Sequence, residues 1–109
     1  MPIANCIVSP ECKLGDKDLI QLWSEASGIS ASEMTVNLTE SLYQHGKPYK
    51  IMSVLYLPSI WSSSHVSQLQ TSLAKALATC FSIPINEVHI ITTIVESGHV
   101  VEAGEVQAW

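Results

Sequence analysis

The chain contains no arginine. Beyond its histidines, the only cationic side chains are five lysines, set against ten carboxylates, for a formal net charge of −5. A surface with that balance has no dense cationic face to set against phosphates, so nucleic acid is not an expected partner. Charged residues make up only 14% of the sequence and hydrophobic ones 47%. Even so, no run approaches the roughly 18–20 apolar residues of a membrane-spanning helix, so no membrane partner is expected either. A basic-then-apolar leader is also missing, and the cytoplasm is the expected location. Cysteine is sparse: Cys6, Cys12 and Cys80 are far apart and form no C-x-x-C pair. Such a set reads as reduced thiols rather than a disulfide framework. The four histidines do not fall at metal-ligand spacings with these cysteines, so no metal is expected.

What is present is a short, apolar chain. At 109 residues it reads as a single domain spanning 1–109. A domain of that size buries about two-thirds of its unfolded surface. So apolar a composition in so small a domain suggests that some apolar surface closes against a neighbouring subunit.

The pattern along the chain is one unit written twice, with pseudo-repeats of about 2–48 and 49–109. Residues 2–9 are rich in apolar and β-branched side chains and read as a strand. Gly15-Asp16 breaks it, with Asp16 expected to cap a helix. Leu19, Leu22, Trp23 and Ala26 then recur at i, i+3, i+4 and i+7, the stripe of an amphipathic helix closed by Gly28. Met34–Leu42 alternates as a second strand. The cycle restarts with a strand over Ile51–Leu57, capping serines at Ser62–Ser64, and a helical stripe through Val66, Leu69, Leu73, Leu77 and Cys80. Pro84 is expected to stop this helix, and Glu87–Val95 is the fourth strand. An offset of 54 superposes Leu19 on Leu73, Ile29 on Ile83 and Glu33 on Glu87. The fold class expected is therefore α+β: duplicated β-α-β units forming a four-stranded sheet with two helices on one face. The other face, largely apolar, would be bare and calls for a partner copy. Residues 98–105 read as a short hairpin or edge strand.

Pro2 is the first candidate for chemistry. Aminopeptidases remove Met before a residue this small, which would leave Pro2 with a free secondary amine. Partial burial disfavours the protonated form of such an amine and draws its pKa toward neutrality, where a general base works best.

Three features coincide: the opening Met1-Pro2-Ile3-Ala4, the duplicated β-α-β units, and Gly98-His99 followed by Gly104-Glu105. Together they resemble the tautomerase superfamily, which includes 4-oxalocrotonate tautomerase and macrophage migration inhibitory factor. The resemblance implies a homotrimer with the helices outside and the sheets forming a central barrel. It also implies that Pro2 shuttles a proton between the enol and keto forms of a small 2-oxo acid, needing no cofactor. The partner expected is thus a small-molecule carboxylate substrate. The arginines that grip the carboxylate in these proteins are replaced: Cys12, with Lys13 beside it, stands at one position and His89 at another. Val100 stands where an aromatic residue walls the pocket. Lys13, His89 and Asn37 are the candidates for substrate binding, and Glu40 is the one nearby carboxylate for an alternative hydratase or dehalogenase chemistry. A further alternative is a trimeric binding or structural member that has lost its chemistry. Trp23 and Trp61 read as core or interface filler, Trp109 as an anchor for the tail, and His99 as part of a solvent-facing turn.

Overall fold

Alternation in the first apolar run sets the geometry of everything else. The computed structural model describes residues 1–109, and its first strand, β1, is Ile3–Val8. Along β1 the side chains of Ala4, Cys6 and Val8 are buried, while those of Asn5 and Ile7 point to the other face and are exposed. The first helix, α1, spans Leu19–Ser27. Its cap is Asp18 and not Asp16: the Asp18 carboxylate accepts the backbone N–H of Gln21 at 3.1 Å. Only the residue immediately before the helix can reach the third helical amide, which is why Asp16, two positions earlier, cannot serve. Gly28 closes α1 in the left-handed conformation at φ 76°, donating its N–H to the Ser24 carbonyl, as expected of a C-terminal glycine.

After a short 3₁₀ turn (Ala31–Glu33) the second strand, β2, is Thr35–Glu40. The second unit repeats this order: β3 at Ile51–Pro58, α2 at Ser63–Phe81, a 3₁₀ turn at Ile85–Glu87 and β4 at Val88–Val95. Ser62 caps α2 by accepting the His65 N–H at 3.3 Å. The helix stops ahead of Pro84, because Ser82 turns left-handed and donates back to the Ala78 and Thr79 carbonyls. Proline then keeps it from resuming. A small hairpin, β5 (Val100–Glu102) and β6 (Glu105–Gln107), follows as a separate two-stranded element.

The strands lie in the order β2-β1-β3-β4. β1 runs parallel to β2, β3 runs parallel to β4, and the two units meet through the antiparallel β1–β3 pair. Both helices cover the face presented by Ala4, Cys6, Val8, Ile51, Leu55 and Leu57, and there the core sits. Trp23 is fully buried between the helices and donates its indole N–H to the Leu69 carbonyl at 3.1 Å, so its one polar atom is satisfied. Cys6 donates to Ser53 Oγ across the same face. Gly15 locks the start of the first crossover to the end of α2 through an N–H···O bond to Cys80 of 2.8 Å. A Cβ at Gly15 would lie 3.1 Å from that carbonyl oxygen, so any larger residue would push the two segments apart by a few tenths of an ångström.

The opposite face carries no helix. The strand register sorts its side chains into rows: Thr35, Ile3, Tyr56 and Thr93; then Asn37, Asn5, Val54 and Ile91; then Thr39, Ile7, Met52 and His89. Ile7, on the inner strand β1, is 47% exposed and Ile91, on the edge strand β4, is 51%; with Met52 and Val54 they form an uncovered apolar patch on this face.

Candidate active site

Because β1 is antiparallel to β3, the sheet has two unlike ends. One end holds Pro2, the start of β2 and the ends of β3 and β4. The other holds the end of β1 and the starts of β3 and β4. Six residue steps of about 3.3 Å separate them along β1, or about 20 Å.

At the first end, Pro2 is less than 2% exposed and its carbonyl accepts the Thr35 N–H at 3.1 Å. Beside it lies a cavity of about 370 Å³ bounded by Met1, Ile3, Pro58 and Ile60, and by Val100–Glu102, Gln107 and Trp109 from the tail. Met1 is bonded to the Pro2 nitrogen and itself lines the cavity, so loss of Met1 would turn that nitrogen toward the space Met1 fills. Trp109 forms an aromatic wall. Its indole N–H donates to Ser59 Oγ at 2.9 Å and its backbone N–H to Ser97 Oγ at 2.8 Å. The one charged side chain lining the cavity is that of Glu102.

At the opposite end is a second cavity, of about 260 Å³, lined mainly by polar residues that include Ser9, Glu11, Tyr49, Lys50 and Glu87. The two cavities are related by the duplication. Each sits where the start of one unit's first strand meets the end of the other's, with the segment following the unit's last strand overhead. Glu11 there accepts a hydrogen bond from the Ser9 hydroxyl, which holds its carboxyl below the usual range, helped by its own backbone N–H and the charge of Lys50.

The three thiols offer no nucleophile. Burial pushes the Cys6, Cys80 and Cys12 thiols up, and for Cys12 the neighbouring Glu11 adds to the effect. All three therefore remain protonated near neutrality, and the thiolate is the reactive form.

Within one protomer, none of Lys13, His89 and Asn37 lines the cavity beside Pro2. Lys13 follows β1 and is exposed at the far end. His89 pairs in register with Met52, also toward the far end, and its ring lies 4.6 Å from that of Tyr49. Lys47 in turn sits 5.5 Å from the centre of the Tyr49 ring. Asn37 is closer to Pro2, on the bare face one row in from Thr35, but its amide donates to Asn5 Oδ1 at 2.8 Å. Glu40 ends β2 at the far end.

The sequence reading missed Ile60, Glu102 and the walling role of Trp109. The signal was available in the duplication. An antiparallel join between units brings the loop after the third strand, not the loop after the first, against Pro2. That loop, Ser59-Ile60-Trp61-Ser62, contains no cation.

The same two-unit architecture is found in solved structures. A fused 4-OT wild type symmetric trimer superposes with a TM-score of 0.79 over 98% of this chain and 96% of that one, at 14% sequence identity. The fold is that of the tautomerase superfamily. A macrophage migration inhibitory factor from Oncomelania hupensis matches with a TM-score of 0.72 at 11% identity, over 98% of this chain and 83% of that one. N1, a member of the cis-3-chloroacrylic acid dehalogenase family, gives 0.71 at 11% identity, over 97% and 83%. No family model matches the chain, and no curated protein matches it. Likeness at such low identity establishes the architecture, and function has to be argued from the site. No helix is long and apolar enough to cross a membrane.

Proposed function

We propose that the chain is a cofactor-independent keto–enol tautomerase or isomerase, acting as a homotrimer on a small enolisable 2-oxo compound, with Pro2 as its acid–base. The observation that carries this reading is the position of Pro2. It is fully buried, and the residues on either side of it, Met1 and Ile3, line a largely apolar cavity. Once Met1 is removed, the secondary amine lies in a desolvated setting that favours its neutral form, so it can accept a proton near pH 7. The amine takes the proton of an enol hydroxyl and returns one to the adjacent carbon, giving the ketone; the reverse path takes the carbon proton and protonates oxygen. Each cycle leaves the proline as it began.

The bare sheet face supports the trimer. Ile7, Met52, Val54 and Ile91 present an apolar centre with no covering helix, and fused 4-OT proteins of this architecture are trimers. In a reading where Lys13 or His89 binds the substrate, they must reach the cavity from a neighbouring protomer. The alternative of a binding or structural trimer without chemistry draws support from the cavity's lack of a cationic side chain.

Two measurements decide between these readings. Intact-mass analysis of protein from its native host is expected to show Met1 absent. Ketonisation of phenylenolpyruvate, followed by loss of enol absorbance, is expected to fall by about 10²–10⁴-fold in Pro2→Ala, the usual contribution of a positioned acid–base. Retained Met1, or equal rates in the two proteins, rules out proline catalysis.

A further inference from the structure

The charges of the chain are divided unevenly between the two ends. Lys13, Lys17, Lys47 and Lys50 lie in loops at the far end, and Lys75 is in the half of α2 nearer to it. The carboxylates Glu11, Asp16, Asp18, Glu40 and Glu87 share that half and balance them. The Pro2 half holds Glu25, Glu33, Glu96, Glu102 and Glu105 and no lysine, so it carries the whole net charge of −5.

From this partition we infer that the Pro2 cavity selects an uncharged carbonyl compound with an aromatic or branched apolar tail, and disfavours its carboxylate counterpart. This deepens the tautomerase reading and rests on it for the identity of the reacting group. In the processed protein a carboxylate entering the cavity would shed water against Ile3, Ile60, Val100, Val101 and Trp109 without meeting a cationic side chain, which is costly. It would also face Glu102, the single charged side chain there. A neutral ketone or ester avoids both penalties. Its apolar tail has an aromatic surface to lie against, because Ser59 and Ser97 fix Trp109 in place.

The test is calorimetric titration of the processed protein with a matched pair, phenylpyruvate and its methyl ester. The ester is expected to bind at least about tenfold more tightly at low salt, a difference of about 1.4 kcal/mol. Glu102→Gln, at an exposed position, and added salt are each expected to narrow the difference between the two compounds by tightening binding of the acid more than that of the ester. Trp109→Ala is expected to weaken the ester. Equal or tighter binding of the acid, or binding of neither compound, overturns the inference. The readout does not depend on Pro2 chemistry. Ester binding without turnover refutes the tautomerase reading and leaves this one standing, whereas Pro2-dependent turnover of a tightly bound acid does the reverse.

Discussion

The bare sheet face makes Ile7→Asp the most informative single substitution. Ile7 lies in the middle of that face, between Thr39 and Met52 in register, and is 47% exposed. Complete burial of an isoleucine side chain is worth about 1.5–3 kcal/mol, so covering the exposed half contributes about 1 kcal/mol per protomer. Ile91, at 51% exposed, contributes a similar amount. In the proposed trimer, summed over three copies, these two positions would supply about 6 kcal/mol toward assembly. An aspartate at position 7 forfeits half of that and brings three like charges toward one another across the interface, where desolvation and repulsion both oppose assembly. Sedimentation of the wild type is expected to give a trimer, and Ile7→Asp a monomer at micromolar concentration. Because Ile7 points away from the helix-covered core, the variant should keep its far-ultraviolet circular dichroism. Leu55→Ala is the control. Leu55 is fully buried beneath the helices, and its truncation should cost about 2–5 kcal/mol of folding stability without a selective effect on assembly. A wild-type monomer, or an unchanged trimer in Ile7→Asp, would refute the argument that this face is an interface.

Two further predictions concern folding. Asp18→Ala removes the acceptor for the Gln21 N–H and should lower unfolding free energy by about 0.5–2 kcal/mol in urea titration, whereas Asp16→Ala should change it little. Cys6 has a thiol raised above its ordinary value, chiefly by burial. Its contribution to stability is complete below the unfolded thiol pKa and is lost as pH rises from there toward the folded value. The thermal midpoint should therefore fall on the alkaline side of about pH 9, and Cys6→Ala should be less stable at pH 7 but show a shallower alkaline decline.

The architecture was legible because each unit obeys its own local rules. The strand and helix periods of Ile3–Val8, Leu19–Ser27 and Ser63–Phe81 are clean, and repetition of the pattern predicts one sheet with both helices on one side. Element edges were less so. The segment from Glu87 belongs partly to a 3₁₀ turn, and strand pairing rather than side-chain alternation ends β2 at Glu40. The site was legible only in part. Pro2 announces itself chemically, but a cavity wall is built from segments far apart in sequence, so Trp109 looked like a tail anchor. It does anchor the tail, through Ser59 and Ser97, and the same two bonds make it a wall. Lys13 and His89 were chosen for their chemistry and their alignment to replaced arginines. Neither criterion says which end of an antiparallel join a residue occupies.

That join also explains why duplication need not duplicate the chemistry. The two 3₁₀ turns, Ala31–Glu33 and Ile85–Glu87, are 54 residues apart, which makes Thr35 the counterpart of His89. In register, Thr35 faces Ile3 and His89 faces Met52. Ile51 is thus the counterpart of Pro2, and Lys50 the counterpart of Met1. The Ile51 nitrogen is an amide inside the chain and cannot take up a proton at any working pH, so the far cavity lacks a base of this kind however closely its shape matches. The far end holds the lysines, whereas the proline end has no lysine beside its five carboxylates. A duplicated fold with one free terminus therefore has chemically unlike ends: on the proposed reading, one with a base and no lysine, the other with lysines and no base of this kind.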